Sequence, residues 1–117
     1  MSPLKPHFSP VRRAGDLLFV SGQLPFASGR ELVAGGIREQ TSQCLTNIAA
    51  ILASEGATLE HVVKVMVWLT NTADFAAFNA AYAAHFPGLP PARATVCSAL
   101  MVPGALIEIE ATAFLPR

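Results

Sequence analysis

Ala105-Leu106-Ile107-Glu108-Ile109-Glu110-Ala111-Thr112-Ala113-Phe114 is the stretch that decides the fold. Successive side chains of a β-strand point to opposite faces of the sheet. Read as a strand over 106–114, this run sends Ile107, Ile109, Ala111 and Ala113 one way and Glu108, Glu110, Thr112 and Phe114 the other. One face is wholly apolar and belongs on a core. The other carries two carboxylates whose Cα atoms stand roughly 6–7 Å apart, from the strand rise per residue. The chain therefore holds a sheet with one packed face and one chemically mixed face.

Upstream, the turn at Pro103-Gly104 joins this strand to another over 92–99, entered through Pro87-Gly88-Leu89-Pro90-Pro91. The prolines end the preceding helix and force an extended approach. That helix is expected over 73–86, with Phe75, Phe78, Tyr82 and Phe86 as its inward stripe. A strand over 61–70 precedes it. Its odd positions Val63, Val65, Val67 and Leu69 are apolar, whereas Val62, Lys64, Met66 and Trp68 make a mixed face suited to another subunit. A first helix is expected over 37–55, with Leu45, Ile48, Ile51 and Leu52 at helical spacing and Gly56 as its stop. Before it, Gly15-Asp16 turns a hairpin between 9–13 and 17–22, and Ala27-Ser28-Gly29-Arg30 turns into a short strand over 31–33. The order predicts an α+β domain spanning 1–117, a mixed sheet with both helices on one face. The opposite face needs a cover, and self-association into a closed ring supplies one.

Composition agrees with a single apolar domain. Of 117 residues 52% are hydrophobic and 14% are charged, and Lys+Arg equals Asp+Glu at 8 each. A zero formal charge gives no attraction to nucleic acid or to a membrane surface. No apolar run reaches membrane-spanning length, and the first ten residues carry polar and proline residues where a secretory leader would be apolar. A cytoplasmic protein is expected. Cys44 and Cys97 then read as free thiols acting as small buried hydrophobes. His7, His61 and His85 show no metal-ligand spacing, and no metal is expected. Lys5, Arg12 and Arg13 read as a solvated basic edge.

Charges set into apolar strands are the candidates for chemistry, because a buried charge without a partner is costly. Arg93, in Pro91-Ala92-Arg93-Ala94-Thr95, projects with Thr95 and Cys97. Its planar fork suits a substrate carboxylate, and equally a salt bridge between subunits. Glu108 and Glu110 suit acid/base work, or an ion pair with Arg93 or Lys64. Ser21 and Gly22 end a strand, where a hydroxyl and an N–H could hold a substrate oxygen. Asn79 sits inside a helix, a mildly unfavourable place that suggests a partner.

These blocks resemble a known family, the Rid proteins (YjgF/YER057c/UK114). The matching segments are Ala14-Gly15-Asp16-Leu17-Leu18-Phe19-Val20-Ser21-Gly22-Gln23-Leu24-Pro25, Gln40-Thr41 through Asn47-Ile48 to Gly56, and Asp74-Phe75 through Asn79, Tyr82 and Phe86. Pro91-Ala92-Arg93 and Ile107-Glu108-Ile109-Glu110-Ala111 complete them. The resemblance implies a chorismate-mutase-like fold, a homotrimer with sheets facing inward, and three clefts between subunits. It implies cofactor-free hydrolytic deamination of reactive 2-imino acids and enamines, such as 2-iminobutanoate and 2-iminopropanoate, to 2-oxo acids and ammonia. By the resemblance Arg93 binds the substrate carboxylate, Glu108 stands by the catalytic water, and Ser21, Gly22, Asn79, Thr95 and Phe8 line the cleft. Phe8 and Thr95 depart from the best-known branch, which has tyrosine and cysteine there. Two other readings stand beside this one: deamination of another enamine acid of the 2-aminomuconate or aminoacrylate type, and a non-enzymatic ligand-binding, regulatory or RNA-directed trimer.

Overall fold

The computed structural model describes residues 6–117. Lys5 of the basic cluster and the first part of the segment read as lacking a leader lie outside the described residues. The elements run β1 (Val11–Ala14), β2 (Leu17–Gln23), β3 (Phe26–Ser28), β4 (Glu31–Leu32), α1 (Ile37–Ala53), β5 (Val62–Leu69), α2 (Phe75–His85), β6 (Ala92–Cys97) and β7 (Ile107–Phe114). Five strands form one mixed sheet in the order β1-β2-β7-β5-β6, while β3 and β4 make a separate small ribbon. All neighbours in the large sheet are antiparallel except β5 and β6. A parallel pair needs a crossover, and α2 is that crossover. Among the described residues no helix is long and apolar enough to cross a membrane.

Both helices pack on one sheet face. Leu45, Ile48 and Leu52 of α1 and Phe78 and Tyr82 of α2 meet Leu18, Val20, Val65, Val67, Ile107, Ile109, Ala111 and Ala113 in one core. The alternation expected along 106–114 is what the strand adopts. Gly15, at φ 58°, closes the β1–β2 hairpin in the left-handed region that glycine enters without penalty. Glu39 accepts a hydrogen bond from the Gly36 N–H at 2.8 Å and so caps the start of α1. Buried Gln40 ties α1 to the entry of β7. Its Nε2 donates to the Gly104 carbonyl at 3.1 Å and its Oε1 accepts from the Leu106 N–H at 2.7 Å. That clamp sets where β7, and hence Glu108, begins.

Four expectations need correction. A register shift between Val62 and Lys64 puts Val62 inside and leaves Val63 exposed, so the odd-residue face starts only at Val65. A bulge adds one residue, which flips the alternation before it. The second helix does not start at 73. Asn71 Oδ1 accepts from the Ala73 N–H at 2.9 Å and holds residues 72–74 in a 3₁₀ turn before α2. Phe75, the first ring of the expected inward stripe, is 45% exposed, whereas Phe78 is fully buried. Finally, Cys44 is buried but Cys97 is exposed, because it ends an edge strand.

Phe78 packs between Phe75 and Tyr82, with ring centroids 6.0 and 5.5 Å away. Removing a fully buried aromatic ring costs about 3–5 kcal/mol from lost transfer energy and the cavity left behind. Phe78→Ala is therefore expected to shift the denaturant midpoint strongly downward in an equilibrium unfolding titration.

Candidate functional site

The paired register separates the candidate residues into two groups. In a parallel pair, opposed residues share a face. Arg93 lies opposite Val65, Thr95 opposite Val67 and Cys97 opposite Leu69, so all three project on the helix side of the sheet. Glu108 lies opposite Trp68 and Glu110 opposite Met66, which puts both carboxylates on the uncovered side. The guanidinium and the carboxylates of one protomer thus face away from each other across the sheet.

Around Arg93 the site is made by α2. Its Nη1 donates to Asn79 Oδ1 at 2.8 Å, which supplies the partner expected for a helix-interior asparagine. Its guanidinium carbon stands 5.8, 5.0 and 4.7 Å from the ring centroids of Phe75, Phe78 and Tyr82. A cation over an aromatic face gains about 0.5–2 kcal/mol, more as water is excluded. Among the described residues no carboxylate stands in ion-pair range of Arg93. The ion pair of Arg93 with Glu108 or Glu110 is therefore absent within the protomer among the described residues. The Tyr82 hydroxyl is buried without a hydrogen-bond partner among the described residues. Burial pushes the phenol above its ordinary range, and the neighbouring guanidinium pulls it back.

On the other face Glu108 is half-buried. Burial raises its carboxyl above the ordinary range, and the charge of Glu110 adds to the rise. The Glu108 carboxylate lies directly against Gly22, where a Cβ would collide with Oε2. The missing side chain at position 22 thus leaves the Glu108 carboxylate room to lie where it does, and a Cβ there would displace it. Ser21 has a structural duty: its Oγ donates to the Ser9 carbonyl at 2.6 Å, and its N–H donates to the Pro10 carbonyl at 2.9 Å. These bonds hold the segment that carries Phe8 beside β2. Phe8, Ser21, Phe19, Glu110 and Thr112, with Arg12, line a depression of about 350 Å³. The expected cleft-lining residues Phe8, Ser21 and Gly22 therefore gather with Glu108 and Glu110, while Asn79 and Thr95 gather with Arg93.

The aromatic bed beneath Arg93 was not expected from sequence. The signal was available in the spacing of Phe75, Phe78 and Tyr82, but that stripe reads equally as core. Cys44 is no nucleophile, since burial, with a smaller contribution from the charge of Glu108, drives its thiol far upward. Among the described residues no cluster of three or more His, Cys, Asp or Glu could hold a metal ion.

A family model described as Endoribonuclease L-PSP matches residues 2–115. A RutC family protein of Pyrococcus horikoshii is 42% identical over 113 residues, covering 96% of this chain and 89% of that protein. The crystal structure of yeast Mmf1 superposes with a TM-score of 0.89 at 34% identity, covering 98% of this chain and 91% of that one. The crystal structure of RidA from the Antarctic bacterium Psychrobacter sp. PAMC 21119 gives 0.88 at 34% identity, covering 97% and 92%.

Proposed function

The chain belongs to the Endoribonuclease L-PSP family, also called YjgF/YER057c/UK114, and from that premise we propose that it is a cofactor-free hydrolase of small 2-imino acids and their enamine tautomers. The observation that carries this reading is the state of Arg93. Its fork is braced by Asn79 and by three aromatic rings, with no protein carboxylate taking it among the described residues. A pre-oriented guanidinium on a rigid strand suits the carboxylate of a small acid.

The reaction needs little else. Arg93 holds the carboxylate of the iminium acid. Glu108 accepts a proton from water as the water oxygen bonds to C2. The same proton then passes to the nitrogen. As the C–N bond breaks, Glu108 takes the hydroxyl proton of the tetrahedral intermediate and the C2–O double bond forms. That proton leaves with the ammonia, so that a 2-oxo acid carboxylate and ammonium are released and Glu108 is again a carboxylate. A carboxyl raised by burial holds a proton more readily than an ordinary glutamate, which suits a group that must take one and return it. Zero net charge favours a small acid over RNA, whose binding is mainly electrostatic.

Because Arg93 and Glu108 face opposite ways, a site using both takes one from each of two protomers. The uncovered sheet face supports such an assembly, since Phe19 and Phe114 remain 45% and 47% exposed on it. A cyclic homotrimer, with these faces turned inward in the cytoplasm, is the form we propose.

The test is complementation. At subsaturating 2-iminobutanoate generated in situ by a dehydratase, the Arg93→Ala and Glu108→Gln proteins are each expected to keep about a tenth of wild-type activity or less. Co-refolded in equal amounts, they should recover about a quarter of wild-type activity, the share of clefts that random assortment in a closed ring leaves intact. Mixtures no better than the separate variants would show that no shared cleft exists. Salt-sensitive cleavage of RNA without imine turnover would favour the RNA-directed reading instead.

A further inference from the structure

Beside Arg93 lies a second cavity, of about 320 Å³, lined by Leu69, Thr72, Phe75, Thr95, Val96 and Cys97. Its walls come from the carboxyl ends of the two parallel strands and from the segment leading into α2. Ligands of α/β units collect at the carboxyl ends of parallel strands. The lining is mainly hydrocarbon, softened by two hydroxyls and a thiol. Two of its walls are shared with the guanidinium. Phe75 lies beneath Arg93, with the guanidinium carbon 5.8 Å from its centroid. Thr95 follows Arg93 on the same strand face, opposite Val67 as Arg93 is opposite Val65.

We propose that this cavity is the subsite for the substrate's side chain, and that Phe75, Thr95 and Cys97 set its size limit. It rests on the reading of Arg93 as the carboxylate clamp. A carboxylate on Arg93 places C2 and the side chain of a small acid within a few bonds of Thr95. The strand then leads the side chain toward Cys97. A volume near the lower end of the roughly 300–1,000 Å³ range of ligand sites suits an aliphatic or thioether chain. The subsite therefore selects imino acids with side chains of the leucine or methionine type over that derived from alanine.

Cys97 makes the subsite testable without turnover. It is the exposed thiol, whereas Cys44 is buried and holds its proton far above the ordinary range. Iodoacetamide should label Cys97 alone. Saturating 4-methyl-2-oxopentanoate should slow labelling at least about tenfold, 2-oxopropanoate should not, and Arg93→Ala should abolish the protection. Filling the cavity with Cys97→Phe should lower kcat/KM for the leucine-derived imine relative to the alanine-derived one by about 10- to 200-fold, the range for chain-length discrimination in an apolar pocket. Equal protection by both acids, protection surviving in Arg93→Ala, an unlabelled Cys97 in the native protein, or an unchanged substrate ratio in Cys97→Phe would each overturn the subsite. Protection with no imine turnover in the unmodified protein would retain the subsite and overturn the deaminase reading.

Discussion

Arg93→Ala is expected to lower kcat/KM for 2-iminobutanoate by at least roughly 10- to 100-fold. A hydrogen bond to a charged group contributes about 1.5–3 kcal/mol, and each 1.36 kcal/mol is about tenfold in rate. The loss should fall mostly on KM, because the carboxylate is held alike in ground and transition states. Arg93→Lys should recover only part of it. Lysine keeps the charge but not the planar fork that Asn79 and the rings orient. Stability provides the control. Arg93 is half-buried on an edge strand and makes no ion pair among the described residues, so Arg93→Ala should unfold within about 1 kcal/mol of the parent, the usual range for loss of a partly exposed cation–π contact. Steady-state release of 2-oxobutanoate beside a urea titration checks both. Wild-type kinetics in Arg93→Ala would remove the clamp.

Most of the fold was legible because its signals are local and periodic. The alternation over Ile107–Phe114 depends on one residue after another choosing the same face, and no tertiary contact overrules it. The hairpin at Gly15 is legible for a similar reason: few residues accept that backbone, so glycine beside aspartate marks the turn. What failed to show in sequence depends on non-local events. The shift between Val62 and Lys64 comes from how β5 pairs with β7, and a run of Val-Val-Lys-Val fits either register. The ribbon of β3 and β4 is held by Asn47 Nδ2, which donates to the Leu24 and Phe26 carbonyls at 3.2 and 3.1 Å. No pattern within residues 26–32 announces a bond from a helix twenty residues on.

The site divides along the same line. That Glu108 and Glu110 share a face follows from strand period alone. That Arg93 faces the other way follows from its pairing with Val65, which the sequence does not state. The exposure of Cys97 likewise depends on β6 being an edge strand. Strand order is a global property, and an edge and a central strand can carry the same residues. The two halves of the site are thus each readable, while their separation across the sheet required the fold.

Glu108→Gln is expected to have the largest effect, a fall in kcat of about 10²- to 10⁴-fold, the usual contribution of a positioned acid/base. The pH dependence follows from the raised carboxyl. Water attack requires the carboxylate, so wild-type kcat/KM should decline as pH falls through a value above the ordinary glutamate range. Glu108→Gln should lack that limb. Stability moves in the opposite sense. The folded protein holds this proton more tightly than the unfolded chain, so the Glu108 contribution to stability is lost as pH rises from the ordinary carboxyl pKa through the raised one. A neutral glutamine carries no such cost, and Glu108→Gln should be at least as stable as the parent at neutral pH. A variant that is slower yet no less stable is the signature of a group retained for chemistry. Gly22→Ala gives an independent check, because its methyl group would push the same carboxylate aside while leaving it ionisable. It should lower the rate but keep the acid limb. A Glu108→Gln protein with the wild-type pH profile would take the proton-transfer role from Glu108.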